Sequence, residues 1–195
     1  MALSHLSQAC PQDDSLSQDY ISALFSELDN LQEFSWRMDL LIDPLSEPKS
    51  MTLAGIVHEL FREMNRQFPY HQLELERPAD DITQILQISN GNWLLTVLKE
   101  LLRNAAEALP RHSSVQASMT LETDQSLAIC VINKLETSRK PIPLDPPEAF
   151  RSTRGGHDGI GLAIVSRICH QAKAPLSFQQ SNTSFEARIS WTASN

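Results

Sequence analysis

Glu100 and Asn104 stand four residues apart in LKELLRNAAEAL, residues 98–109, so on a helix they share one face. A carboxylate can orient a water or take a proton, and a carboxamide oxygen can hold a hard cation such as magnesium. Leucines and alanines make up most of the rest of the stretch, beside Lys99, Arg103 and Glu107. A polar pair there belongs either to a site or to a core helix whose carboxylate is matched by a nearby cation. A second cluster lies in FRSTRGGHDGIGLAIV, residues 150–165. Gly155, Gly156, Gly159 and Gly161 lead into Ile160, Ile164, Val165 and Ile168, which have helical spacing. Backbone N–H groups freed by glycine at a helix N-terminus attract anions, and a phosphate fits there. As a bare pattern, such a junction serves equally well as a turn.

Positioning these residues requires a substantial core. The chain has 195 residues, 41% of them hydrophobic, enough for one domain with a helical appendage. Its formal net charge is −8, and it has no Lys/Arg-rich block, which argues against nucleic-acid and membrane-surface partners. There is no apolar run near the roughly 20 residues that span a bilayer, and no signal-peptide pattern, so a cytoplasmic protein is expected. Cys10, Cys130 and Cys169 form no CxxC pair, and reduced thiols are expected.

Ile21, Leu24, Phe25, Leu28, Leu31, Met38, Leu41 and Ile42 recur at three- and four-residue steps. The spacing predicts an amphipathic helix over residues 18–43, about seven turns long. Residues 1–17 carry no period and are expected to be flexible. DPLSEPKS breaks the pattern with two prolines, a linker at 44–50. The domain then occupies 51–195. LAGIVHELFREMNRQF has helical spacing, while HQLELE and DITQILQI read as strands. Asn90-Gly91 punctuates, and Asn92 is placed to cap a helix starting at Trp93. SVQASMTLE and SLAICVIN form a hairpin about residues 123–125, and PLSFQQ with TSFEARISW form another. Strands in neighbouring pairs predict a mixed or antiparallel sheet with helices on one face: an α+β fold, a two-layer α/β sandwich. The stretch from Asn133 to Gly161 is proline-rich and aperiodic, a length of loop that is usually functional or disordered.

LKELLRNAAEAL, then a strand, then FRSTRGGHDGIGLAIV resembles the N-box and G-box of the histidine-kinase catalytic domain, within the Bergerat-fold ATPases that include gyrase and heat-shock chaperones. The resemblance covers roughly residues 51–191 and implies ATP and Mg2+ as ligands. It implies that Asn104 coordinates the magnesium bridging the ATP phosphates. Glu100 matches the glutamate general base of the hydrolytic members. The resemblance further implies that Asn133 lies where the family's aspartate accepts a hydrogen bond from the adenine amino group. Leu135 and Thr137 follow where the family has glycines. Ser152, Thr153 and Arg154 match the hydroxyl pair and basic residue before the phosphate loop, and Gly156, Gly159 and Gly161 match the loop itself, with His157 where a first glycine is common.

A phosphoacceptor histidine is missing from this pattern. His58, in VHELFRE, lies in the helix that opens the domain and reads as an ordinary helical histidine; His5 has too little chain behind it to build the absent helix, and His157 reads as a loop residue near the phosphate site. The resemblance implies an ATP-binding module of two-component-type signalling. Its phosphoacceptor would be absent or lie on another chain, its protein partner would be a response regulator or sensor, and 18–43 could pair it into a homodimer. Two contrasting readings stay open. One is a degenerate adaptor that keeps the fold and binds a partner without ATP; the other is a serine kinase like those acting on anti-sigma-factor antagonists, suggested by the Glu-x-x-x-Asn spacing.

Overall fold

The computed structural model describes residues 14–42, 47–123, 126–134, 159–181 and 184–193. The chain divides into two compact units, Met1–Ile42 and Asp43–Asn195.

The first unit contains helix α1, Asp14–Ile42. No glycine or proline interrupts these 29 residues, so nothing in them breaks the helical ladder. It starts ahead of residue 18, where the apolar period begins. Tyr20, Ile21, Leu24, Phe25, Leu28 and Leu31 are exposed.

The second unit runs β1 (Met51–Thr52), α2 (Leu53–Gln67), β2 (Gln72–Glu76), α3 (Asp80–Ile85), β3 (Gln87–Ile88), α4 (Gly91–Ala108), β4 (Ser114–Thr123), β5 (Ser126–Lys134), α5 (Gly161–Ala172), β6 (Leu176–Gln180) and β7 (Ser184–Thr192). A five-stranded sheet has the order β2-β4-β5-β7-β6. Only β2 and β4 pair in parallel; the remaining neighbours are antiparallel. Alternation along the strands sends Val115, Ala117 and Met119 of β4, Leu127, Ile129 and Val131 of β5, and Ala187, Ile189 and Trp191 of β7 into the core. The intervening positions, among them Gln116, Ser118, Cys130, Glu186 and Arg188, lie on the opposite, more polar face. Helix α4 packs between α2 and α5 and against β4 and β5. The architecture is the expected two-layer α+β sandwich.

DITQILQI does not form one strand. Asp80–Ile85 is helical, and only Gln87–Ile88 pairs, antiparallel to Met51–Thr52. Its short apolar pattern fits either period. Helix is favoured by two aspartates in the first turn, which suit the helix dipole, and by Thr83, fully buried with its hydroxyl donating to the carbonyls of Pro78 (2.9 Å) and Ala79 (3.0 Å). Asn92 is not a cap either. Helix α4 begins at Gly91 with Asn90 at the N-cap position, which leaves the Asn92 carboxamide inside the first turn and free to bond to residues 47–49.

Candidate functional site

The inward row of β5 reads Leu127, Ile129, Val131 and then Asn133, which is 4% exposed. Its carboxamide oxygen Oδ1 is buried and accepts no hydrogen bond from the described residues. A buried acceptor without a donor is costly unless something else supplies one. Strand β5 thus ends in a polar group that asks for a donor.

The topology brings three other features to this end of the sheet. Helix α4 is fixed at its start by the Trp191 indole, which donates to Asn90 Oδ1 at 2.9 Å; Trp191 pairs with Leu127 at the beginning of β5. From Asn90 to Asn104 the helix advances about 21 Å, and from Leu127 to Asn133 the strand advances about 20 Å. The two asparagines therefore lie at the same level. The connection from α4 into β4 agrees, because Gln116 near the start of β4 pairs with Ile132. Helix α5 runs the other way. Just beyond its C-terminus, Pro175 accepts from Ser190 N–H at 3.0 Å, and Ser190 pairs with Ala128 near the start of β5. The N-terminus of α5 points toward the Asn133 end.

Glu100 is 2% exposed and Asn104 half-buried, one turn apart on α4. Gly161 opens α5, and the N-cap position is held by Ile160, whose side chain makes no capping hydrogen bond; first-turn N–H groups of such a terminus suit an anion. Gly159 has φ 68°, the left-handed region that favours glycine. Glu100, Asn104, Asn133, Gly159 and Gly161 are thus gathered by α4, β5 and α5. Ser152, Thr153, Arg154, Gly156 and His157 lie outside the described residues, as does His5. His58 is exposed on α2.

A polar network beside α4 has its own signal in the sequence, outside the motifs above: Glu63 and Gln67 on α2, Lys99 and Arg103 on α4, each pair four residues apart. Arg103 donates to Gln67 Oε1 (3.2 Å), Gln67 Nε2 donates to Glu63 Oε1 (2.6 Å), and Lys99 Nζ lies 4.0 Å from Glu63. Burial acts to raise the Glu63 carboxyl, but the hydrogen bond from Arg66 and the charges of Lys99, Arg66 and Arg103 outweigh it and hold the group below its ordinary value. The network ties α2 to the turn of α4 that carries Asn104.

The residues present fit magnesium–ATP chemically. The Asn133 oxygen can accept from an exocyclic amino group, and the N-terminus of α5 suits phosphate. Among the described residues no group of three or more His, Cys, Asp or Glu side chains gathers. Magnesium needs no such cage, since it keeps several waters and takes one or two protein ligands beside the phosphates. The Asn104 carboxamide can be one of these.

No protein-family profile matches the chain. One curated protein, imidazole glycerol phosphate synthase subunit HisF of Thermosynechococcus vestitus, is 25% identical over 67% of this chain and 49% of its own length. The chain spans about half of that relative, and the match establishes no family. Solved structures agree with the architecture. Full-length ShkA in complex with AMPPNP superposes with a TM-score of 0.70 at 15% identity, covering 91% of this chain and 39% of that one. The Acinetobacter baumannii histidine kinase AdeS gives 0.64 at 14% identity over 100% and 92%. The catalytic domain of histidine kinase ThkA gives 0.61 at 14% over 75% and 96%. With its two layers, its sheet and its helices so matched, the chain has the Bergerat fold of the histidine-kinase catalytic domains.

Proposed function

We propose that residues 51–195 form an ATP-binding, histidine-kinase-like domain acting in two-component-type signalling, with the phosphoacceptor histidine on another chain and a response regulator or sensor as protein partner. The observation that carries this is the buried Oδ1 of Asn133, without a donor among the described residues, at the same end of the sheet as Glu100, Asn104 and the α5 N-terminus. One of the structurally similar proteins, ShkA, holds AMPPNP. When bound, magnesium–ATP supplies an electrophilic γ-phosphoryl group. In this reading Asn133 accepts from the adenine amino group, and Asn104 offers its carboxamide oxygen to magnesium. The α5 N-terminus, with Gly159 and Gly161, receives phosphate oxygens, and Ser152, Thr153, Arg154 and Gly156 complete the loop. Glu100 acts as general base, orienting a water or an acceptor hydroxyl. Burial excludes competing water from Glu100 and strengthens its interactions.

Isothermal titration with ATP and GTP, with and without magnesium, tests the proposal. Wild type should prefer ATP, because guanine presents a carbonyl where adenine presents the amino donor. Asn133→Ala should abolish that preference and weaken ATP binding by about 10- to 100-fold, the effect of removing one buried hydrogen-bond partner. Asn104→Ala should weaken binding only when magnesium is present, and Glu100→Gln should bind nucleotide without turnover. Absence of any ATP heat from the folded wild type at millimolar nucleotide would overturn the proposal in favour of the adaptor reading, which the exposed apolar face of α1 favours.

A further inference from the structure

The segment Glu47–Thr52 enters the second unit and is fastened to α4 before it reaches anything else in the sequence. The Asn92 carboxamide grips it from both sides: Oδ1 accepts from Lys49 N–H at 2.8 Å, and Nδ2 donates to the Glu47 carbonyl at 3.2 Å. Asn92 N–H also points to the Lys49 carbonyl at 3.4 Å. One residue earlier in α4, Gly91 is so close to the segment that an added Cβ would lie 2.6 Å from Met51 Cβ and 3.0 Å from its backbone nitrogen. No side chain fits there unless Met51 moves. Beyond Met51 the segment continues as β1, paired with β3, with Ser50 Oγ donating to Gln87 Oε1 at 3.1 Å. The strongest grip on Glu47–Lys49 is therefore held by the first turn of the helix that carries Glu100 and Asn104.

We infer that Glu47–Thr52 is a mechanical input to the candidate nucleotide site, with Asn92 the positioning residue that clips it to α4. This inference rests on the nucleotide-site reading above for its consequence, not for its geometry. Helix α4 is buried along its length, from Gly91 and Leu94 to Ala108, so its first and last turns are joined by one continuous hydrogen-bonded rod. Asn92 lies about 12 Å from Glu100 and about 18 Å from Asn104 along that rod. A rigid element held at one end by an incoming segment and opening into a site at the other can carry a displacement between them. The segment follows the last residue of α1, Ile42, by only a few positions in sequence.

Amide hydrogen exchange on the full chain tests the inference without any nucleotide. Asn92→Ala removes the clip, and Gly91→Ala pushes Met51 aside by an independent route. Both should speed exchange in 47–52 and also in 98–108 by about 2- to 30-fold, the range measured for long-range coupling, while β5 residues 127–131 keep wild-type rates. Asn92→Asp, which retains the acceptor for Lys49 N–H, should give a smaller change and serves if Asn92→Ala does not fold. Opening of 47–52 with 98–108 unchanged would overturn the inference. So would equal acceleration of 98–108 and 127–131, which is general destabilisation, or full protection of 47–52 in both alanine variants. Titration of wild type with magnesium–ATP decides the nucleotide reading separately. A chain that binds no ATP yet shows coupled exchange loses the proposed ligand and keeps the strap.

Discussion

Asn133 closes a row of side chains that is otherwise apolar, Leu127, Ile129 and Val131, and its position decides its chemistry. A residue earlier it would face the outer side of the sheet, where solvent would supply a donor. The two described cysteines show the converse, reactive groups silenced by their surroundings. Burial pushes the Cys169 thiol up to about 12; burial, then the hydrogen bond to and charge of Glu186, push Cys130 up to about 11. In a Cys10→Ser variant at pH 8, native labelling by a thiolate-selective reagent should be at least ~100-fold slower than for a free thiol of pKa about 8.5. Denaturant should restore the ordinary rate; fast native labelling of either cysteine would contradict the placement. Glu63 gives a stability prediction with a definite sign. Its folded-state carboxyl is more acidic than the ordinary 4.5, so the network stabilises the fold above that value and ceases to do so as pH falls through the lower folded one. Glu63→Gln should cost about 0.5–1 kcal/mol at pH 7, a surface-network magnitude, and the cost should vanish at strongly acidic pH. Denaturant melts at both pH values check it.

At the scale of elements, α4 is the scaffold of the candidate site. It is gripped at its start by Trp191 and the 47–49 segment and at its site end by Gln67 through Arg103. Its character was legible because the apolar spacing of LLTVLKELLRNAAEAL is long and regular, and the pair at 100 and 104 stands out against it. Helix α3 was not legible. A six-residue helix offers too short a window to separate periods of 3.6 and 2, and the contact deciding it is the buried Thr83 hydroxyl. Helix α5 ends on Lys173, which adopts φ 56° to donate its N–H back to Cys169 and His170. Glycine is the usual residue for such a left-handed cap. Lys173→Gly should raise stability by about 0.5–1 kcal/mol, read as a higher denaturation midpoint with an unchanged m-value; a loss would mean that the Lys173 side chain contributes more than its backbone costs.

For the whole molecule, the exposed apolar stripe of α1 sets the expectation for association. Ile21, Leu24, Leu28 and Leu31 follow steps of three, four and three, and are 42%, 64%, 59% and 63% exposed. Burying four such side chains yields about 6–12 kcal/mol, comparable to the roughly 4–15 kcal/mol that association costs. Pairing through this helix is therefore proposed to be concentration-dependent. Light scattering across a dilution series should show a dimer dissociating, and Leu28→Glu with Leu31→Glu should give a folded monomer at all concentrations. A wild type that stays monomeric when concentrated would remove the second copy as occupant. Among the described residues no helix is long and apolar enough to cross a membrane, so this stripe is not a span.

The sequence alone determined the layers and offered the candidate chemistry. Alternation along SVQASMTLE and SLAICVIN set which strand faces are buried, helical spacing set α2, α4 and α5, and the Glu100–Asn104 pair with the glycines before α5 marked the candidate site residues, because these signals depend on neighbours within a turn or two. Tertiary structure decided whether they meet. That Asn104, Asn133 and the α5 terminus lie at one end of the sheet follows from the β5–β7 register and the Trp191–Asn90 bond, which join residues about a hundred positions apart. The same holds for Asn92. Its sequence context suggested a helix cap, and only the approach of residues 47–51 to Gly91 made it a clip, since no local pattern records which distant backbone will lie within hydrogen-bond reach.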